Sequence, residues 1–301
     1  MKRLINTDKA CIEKKGKFIS FICTIIVIII VSSIIIMVTG KGLSTFIKDN
    51  VSLSDFLLST DWNPGKVGPL NKPLVGALPM IIGSFSVTFI STFTAIPFAL
   101  GLAIYMVELS SNIGRTFLKP VIEILVGIPS VVYGLIGLST VIPFIRRFSG
   151  GSGFGILAGS IVLTVIILPT ITSLCTDAIS SVDSGVKEAA LALGCTKWQM
   201  IYKVVLKSAI PGIMTAVVLG MSRAFGEALA VQMVIGNTTI IPKSLVTPAS
   251  TLTSVLTTNM GNTIPGQIQN NVLWTLALLL MIMSLFFILI IHLIGRKRKD
   301  E

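Results

Sequence analysis

The chain has 301 residues, of which 52% are hydrophobic and 12% charged, about half the charged share of an ordinary soluble domain. Its apolar residues come in runs of roughly 20, enough to cross about 30 Å of hydrocarbon as helix, which excludes a soluble enzyme and a barrel of short alternating strands. The formal net charge of +11 does not point to nucleic acid, because the lysines and arginines flank the apolar runs, where the positive-inside rule places them.

The pattern predicts an all-α integral membrane protein with about six transmembrane helices. A basic N-terminus, residues 1–17, carries Lys2, Arg3, Lys9, Lys14, Lys15 and Lys17 and precedes a first span over Phe18–Val38. That run exceeds the about 7–15 residues of a signal-peptide core, and no Ala-x-Ala-like site follows, so it reads as an uncleaved anchor. Residues 39–77 follow as an extracytoplasmic loop. A five-helix core over 78–294 has spans at Leu78–Val107, Val121–Ile142, Gly155–Thr176, Ala209–Ile235 and Val272–Ile294. Six spans place both termini on one side. Arg296, Lys297, Arg298 and Lys299 in the 295–301 tail agree with the N-terminus that this side is the cytoplasm. Arg115, Lys119, Lys187, Lys197, Lys203 and Lys207 then lie inside, and the Arg146-Arg147 pair is the local departure, either a minority vote against the rule or a pair that attracts an anion at the outer mouth.

Several features favour plain structural readings. Cys11, Cys23, Cys175 and Cys195 have neither an outside location nor metal-site spacing, so no disulfide framework is implied. The single histidine, His292, reads as interfacial and leaves zinc or triad chemistry little to build with. The glycine-rich run Gly150–Gly155 follows no strand and lacks a Lys-Ser/Thr ending, so it reads as a flexible turn. No Walker A pattern occurs, and P-loop binding of ATP therefore requires another polypeptide. In the second span Ser84, Thr88, Ser91 and Ala95 form a small-residue stripe suited to close helix packing. Pro97 and Pro169 are candidate kinks, while Glu108 and Glu123 fall near cytoplasmic ends within reach of water.

Three segments carry candidate chemistry. In Gly127-Ile128-Pro129-Ser130-Val131-Val132-Tyr133-Gly134, proline and glycine free backbone groups that hydrocarbon does not tolerate. Pro129, Ser130 and Tyr133 therefore either line a wet pathway or mark a packing kink, with Tyr133 an anchor or a wall. The loop 177–208 reads as two short amphipathic helices: Asp183 or Ser184 caps the first, Gly194 gives a left-handed stop, Thr196 and Gln199 form a capping box, and Pro211 marks the start of the next span. Ala189, Ala190 and Ala192 make a helix thin enough for a partner's groove. In the fifth span Arg223 and Glu227 each cost about 2.5–3.5 kcal/mol to insert. Four residues apart, they share a helix face and can pair. A structural salt bridge is one reading. Use is the other, since such a pair is often no better for stability than apolar packing. A guanidinium fork suits a tetrahedral oxyanion, and a carboxylate accepts the proton that monohydrogen phosphate carries and sulfate lacks.

Glu188-Ala189-Ala190, then Gly194, then Ile210-Pro211 is similar to the EAA loop of ABC importer permeases, which grips the ATPase. That resemblance implies ATPase coupling through Glu188, Ala189, Ala190 and Gly194. Arg223 through Val231 resembles the stretch of phosphate-importer permeases in which the arginine and glutamate are regarded as transport residues, and Gly127 through Gly134 looks like a second signature of those proteins. Trp62-Asn63-Pro64, Gly76-Ala77-Leu78-Pro79 and Gly83-Ser84 resemble the PstC-type subunit, with Ser84 where the commoner pattern has threonine. The resemblance runs from about Trp62 to the last span. It implies a type I importer permease core that carries inorganic phosphate inward and is not itself an enzyme. It also implies a sister permease of the PstA type, a cytoplasmic ATPase dimer holding ATP and Mg, and an extracytoplasmic phosphate-binding protein. No cofactor is implied on this chain. A sulfate or molybdate permease stays open as an alternative, as does an ion-coupled carrier using Glu227 as a proton site, although no paired inverted repeats are visible.

Overall fold

The computed structural model describes residues 2–67, 73–110 and 114–296, and the side chains of 16–66, 73–110 and 116–290. The basic side chains of residues 2–15, Cys11, Arg115, His292 and the charges of 296–299 lie outside the described residues. Among those described, six helices are long and apolar enough to cross a membrane: Gly16–Ile47, Leu78–Leu109, Ser130–Ser149, Ile156–Ser180, Lys197–Gly226 and Ile268–Ile290. The number matches the expectation. The boundaries differ where backbone chemistry interrupts an apolar run.

Helix α1 (Lys2–Gly42) is twice as long as the 18–38 span, since no proline or left-handed glycine stops it. It meets the rest of the chain at its C-terminal end. Gly42 lies so close to the last long helix, α14 (Ile268–Arg296), that a Cβ would sit 2.7 Å from Leu278 Cβ. A short α2 (Ser44–Ile47) continues the contact, with Thr275 Oγ1 donating to the Gly42 carbonyl at 2.8 Å and sharing a 2.7 Å bond with Thr45 Oγ1. The described part of the 39–77 loop has secondary structure of its own. It holds α3 (Leu53–Leu58), capped by Ser52, and an antiparallel hairpin of β1 (Trp62–Val67) and β2 (Pro73–Val75) that pairs Trp62 with Val75 and Asn63 with Leu74.

The core is built on α4 (Leu78–Ile104) against α8 (Ile156–Ser180). Ser84, Thr88, Ser91, Ala95, Ala99 and Ala103 are all buried, so the small-residue stripe packs as predicted. The stripe brings the backbones close enough for side chains to bond across: Ser91 Oγ donates to the Ser160 carbonyl at 3.2 Å and Thr164 Oγ1 to the Ser91 carbonyl at 3.3 Å. In hydrocarbon, where no water competes, such bonds and close van der Waals contact replace the hydrophobic effect as the glue between helices. A five-residue π turn, Tyr105–Leu109, ends α4, and a second, Gly114–Leu118, leads into α5 (Lys119–Gly127).

The predicted third span, Val121–Ile142, is not one helix. It breaks after Gly127 and restarts as α6 (Ser130–Ile136), a π turn over Gly137–Val141 and α7 (Ile142–Ser149). Pro129 has no N–H to continue the ladder and clashes with an α-helical predecessor, so Ile128 is extended at φ −68°, ψ 129°. The Gly150–Gly155 turn follows, with Gly150, Gly153 and Gly155 at positive φ. Gly155 also has no room for a side chain, since a Cβ would lie 2.6 Å from the Thr247 carbonyl oxygen.

The 177–208 loop is half as expected. A free-standing α9 (Ser184–Ala192) is followed by α10 (Lys197–Met200), which runs without interruption through a π turn, Ile201–Val205, into α11 (Leu206–Gly226). The second helix of the loop is therefore the first two turns of the fifth span, and Pro211 lies inside that helix rather than at its start. The predicted Ala209–Ile235 span ends early, at Gly226. After two non-helical residues α12 (Leu229–Ile235) begins, and a left-handed Gly236 closes it. A short α13 (Leu252–Asn259), with a Thr251–Ser254 capping box, then packs beside α12 and leads to α14. Phe225 stacks on Phe287 at 4.8 Å and meets Phe85 edge-on at 5.2 Å, joining α11, α14 and α4.

Candidate functional site

Both helix breaks occur in the segments singled out from the sequence, and packing brings them together. On α6, Gly134 faces α12 so closely that a Cβ would lie 2.6 Å from Met233 Sδ and 3.1 Å from Ala230 Cα. Gly137 is equally tight against Val162 of α8 and Val234 of α12, each 2.7 Å from a would-be Cβ. The two interrupted helices thus share one wall.

At the first break, the carbonyl of Leu125 would ordinarily accept from the N–H four residues on, but that residue is Pro129. Tyr133 fills the role: its hydroxyl donates to the Leu125 carbonyl at 2.9 Å, and its ring is buried with Ala158, Val162, Ile166 and Ala230. Pro129 is exposed and Ser130 half-buried, so the two ends of the motif face different surroundings.

At the second break, Arg223 and Glu227 do not share a helix face. Glu227 is the residue after the last turn of α11, extended at φ −71°, ψ 118°. The expected pair with Arg223 is replaced by separate partners. The Arg223 guanidinium donates from Nη1 to Thr170 Oγ1 on α8, next to Pro169. Glu227 Oε1 accepts from the Ala230 backbone N–H at 3.3 Å, serving as the cap that Ala228 cannot supply. A carboxylate at a helix N-terminus is also favoured by the backbone dipoles. The Glu227 carbonyl, orphaned by the break, accepts from Thr253 Oγ1 of α13 at 3.0 Å. Leu252 N–H in turn donates to Ser84 Oγ of α4 at 2.9 Å, and a small pocket lined by Ser84, Thr88, Thr251, Thr253 and Glu227 lies between them. Arg223 is exposed on the surface of the single chain and Glu227 half-buried. The site therefore offers a guanidinium fork held by one hydroxyl, with four further N–H donors, and a carboxylate held by a backbone N–H, with spare lone pairs, rather than two charges neutralising each other.

The hairpin 183–200 has the local chemistry read from the sequence. Asp183 Oδ1 caps α9 by accepting from Gly185 N–H at 2.6 Å. Gly194 is left-handed at φ 81°. Thr196 and Gln199 exchange both capping-box bonds, at 2.9 and 3.3 Å. Glu188 and Ala189 are exposed, while Ala190 is buried against the core. Beside them Leu193 is 85% and Trp198 64% exposed, with Val186 and Tyr202 also open. Glu108 is not open to water as expected: Lys187 Nζ donates to its Oε1 at 2.6 Å, and the Glu108 side chain is only 8% exposed. Arg146 and Arg147 are exposed in the last turn of α7.

Sequence reasoning missed Thr170, Thr253 and the Glu108–Lys187 pair, all partners more than 25 residues distant along the chain.

Residues 95–300 match the family model described as binding-protein-dependent transport system inner membrane component. A probable ABC transporter permease of Bacillus subtilis, YqgH, is 50% identical over 288 residues, covering 95% of this chain and 92% of the relative. The phosphate transport system permease PstC of Mesorhizobium japonicum is 32% identical, covering 86% of this chain and 84% of its own length, and that of Haemophilus influenzae is 30% identical at 81% and 82%. Among solved structures, an inward-facing MetNI methionine ABC transporter matches with a TM-score of 0.55 at 21% identity, over 71% of this chain and 94% of that one. An amino acid ABC transporter crystallised with histidines matches with a TM-score of 0.52 at 19% identity, over 72% and 92%. The chain is a multi-pass membrane protein that belongs to the binding-protein-dependent transport system inner membrane components, and within that family it resembles the PstC phosphate permeases.

Proposed function

We propose that this chain is one of two permeases forming an inward path for inorganic phosphate across the bacterial cytoplasmic membrane, driven by ATP hydrolysis on a separate ATPase. The observation that carries this reading is the separation of Arg223 from Glu227 by a helix break. An internal ion pair would cancel the positive charge that attracts an anion, whereas here the guanidinium keeps its charge uncancelled by Glu227 and has donors to spare. Arg223 offers a transient oxyanion site, and the Glu227 carboxylate accepts the phosphate proton while keeping the anion from binding too tightly. Pro129 and Tyr133 keep the facing break open, and Ser130 contributes a hydroxyl near it.

Both termini and the 183–200 hairpin face the cytoplasm in this reading. The exposed Leu193, Trp198, Val186 and Tyr202, set around Glu188, Ala189 and Gly194, form the apolar surface that an ATPase dimer would cover. ATP and Mg bind on that dimer, a PstA-type sister permease completes the path, and an extracytoplasmic phosphate-binding protein delivers the substrate. Arg146 and Arg147 then lie at the outer mouth.

The test is uptake of labelled phosphate by the co-purified complex in liposomes, with ATP on the ATPase side and sulfate or molybdate as competitors. Arg223→Ala and Arg223→Lys both abolish uptake, because a point charge does not reproduce the planar fork. Normal uptake by Arg223→Ala refutes the reading, and competition by sulfate equal to that by unlabelled phosphate reassigns the substrate. Uptake that survives loss of the ATPase subunit replaces it with an ion-coupled carrier.

A further inference from the structure

Glu108 and Lys187 are 79 residues apart in sequence and 2.6 Å apart in space, with side chains 8% and 20% exposed. Glu108 lies in the π turn that ends α4, and Lys187 lies in α9 immediately before Glu188. Around them, Ala103 of α4 and Ala190 of α9 belong to one buried cluster with Met200, Ile201 and Val205. Apolar packing of this kind is non-directional. The ion pair is directional and, being mostly shielded from water, costly to break.

The far end of α4 reaches the other break. Ser84 Oγ accepts from Leu252 N–H, and Thr253 next to it holds the Glu227 carbonyl. A single helix, α4, is therefore tied at one end to the hairpin and at the other to the backbone of Glu227. We propose that the Glu108–Lys187 pair is the tie that makes α4 follow α9 when the partner ATPase displaces the hairpin, so that both are positioning residues for transport. This rests on the ATP-driven reading above and adds to it the point of attachment.

The experiment compares phosphate moved per ATP hydrolysed by the reconstituted complex, first for the wild type and then for Glu108→Gln, Lys187→Gln and the charge reversal Glu108→Lys with Lys187→Glu. Each single variant lowers the ratio roughly tenfold, in the range of ordinary coupling between sites. The reversal restores most of it, and Glu108→Asp, which keeps the charge on a shorter arm, is intermediate. Single variants with the wild-type ratio overturn the proposal, as does a reversal no better than the singles. Loss of co-purification with the ATPase in either single variant overturns it too, since the pair would then serve docking alone. A wild-type complex that hydrolyses ATP without moving phosphate instead removes the reading on which this proposal stands.

Discussion

Gly83→Ala is a one-carbon change whose near neighbours all belong to Ser250 rather than to either charged residue, and it tests how the site is held. A Cβ at residue 83 would lie 2.1 Å from the Ser250 carbonyl oxygen, whereas ordinary contact begins near 3.4 Å. Either α4 or the 250–252 segment must retreat by more than about 1 Å, and overpacking of this kind costs about 1–3 kcal/mol. The retreat also pulls Leu252 N–H from Ser84 Oγ, a bond of about 1 kcal/mol. Together the loss is about 2–4 kcal/mol. Ser84→Ala, which removes the bond but adds no bulk, costs only about 1 kcal/mol. The assay is the fraction of detergent-solubilised complex that survives heating, read by size exclusion, with phosphate uptake measured on the survivors. Gly83→Ala melts well below Ser84→Ala and transports poorly, because Thr253 moves with Leu252 and releases the Glu227 carbonyl. A Gly83→Ala complex that melts with the wild type refutes the reasoning, as does a Ser84→Ala complex that is equally damaged.

Tyr133→Phe leaves the Leu125 carbonyl without its partner and lowers the melting midpoint by the equivalent of about 1 kcal/mol, checked in the same heating assay. Gly194→Ala meets no neighbouring atom, so its whole cost is the left-handed backbone, about 1 kcal/mol. If that strain falls on the hairpin's docked conformation, co-purification with the ATPase weakens roughly fivefold in a titrated pull-down. Thr253→Val frees the Glu227 carbonyl and reduces phosphate uptake several-fold, whereas Thr253→Ser retains the bond and the uptake. Thr170→Val removes the described partner of Arg223 and raises the phosphate concentration needed for half-maximal uptake, while Thr170→Ser does not.

The spans were legible because about 20 consecutive apolar residues have few other uses. The caps were legible because Asp183, Thr196, Gln199 and Gly194 act on backbone within three residues of themselves. The breaks were harder. A window of about 20 residues averages over Pro129-Ser130 and over Arg223 to Glu227, so it sees one span where the backbone makes two helices. Pro129 was noticed without being read as a terminator, and nothing in the backbone preferences of Gly226 or Glu227 marks the second break. The α13 helix was invisible for another reason. Thr251, Thr253, Ser254, Thr257 and Thr258 look like a polar loop in sequence, yet they cap their own helix and reach Glu227 and Gln232. Glu108 illustrates the general limit, since its position near a helix end predicts hydration and only the tertiary structure supplies Lys187.

The contact between α6 and α12 has an evolutionary corollary. A side chain at position 134 and the thioether of Met233 claim the same volume, so bulk there is a shared allotment. In a randomised library, survivors that gain a methyl at 134 will shorten 233, and residues 137 and 234 will trade in the same fashion. Neither helix can drift alone, and covariation between these neighbours is the trace such interlocking leaves in a lineage.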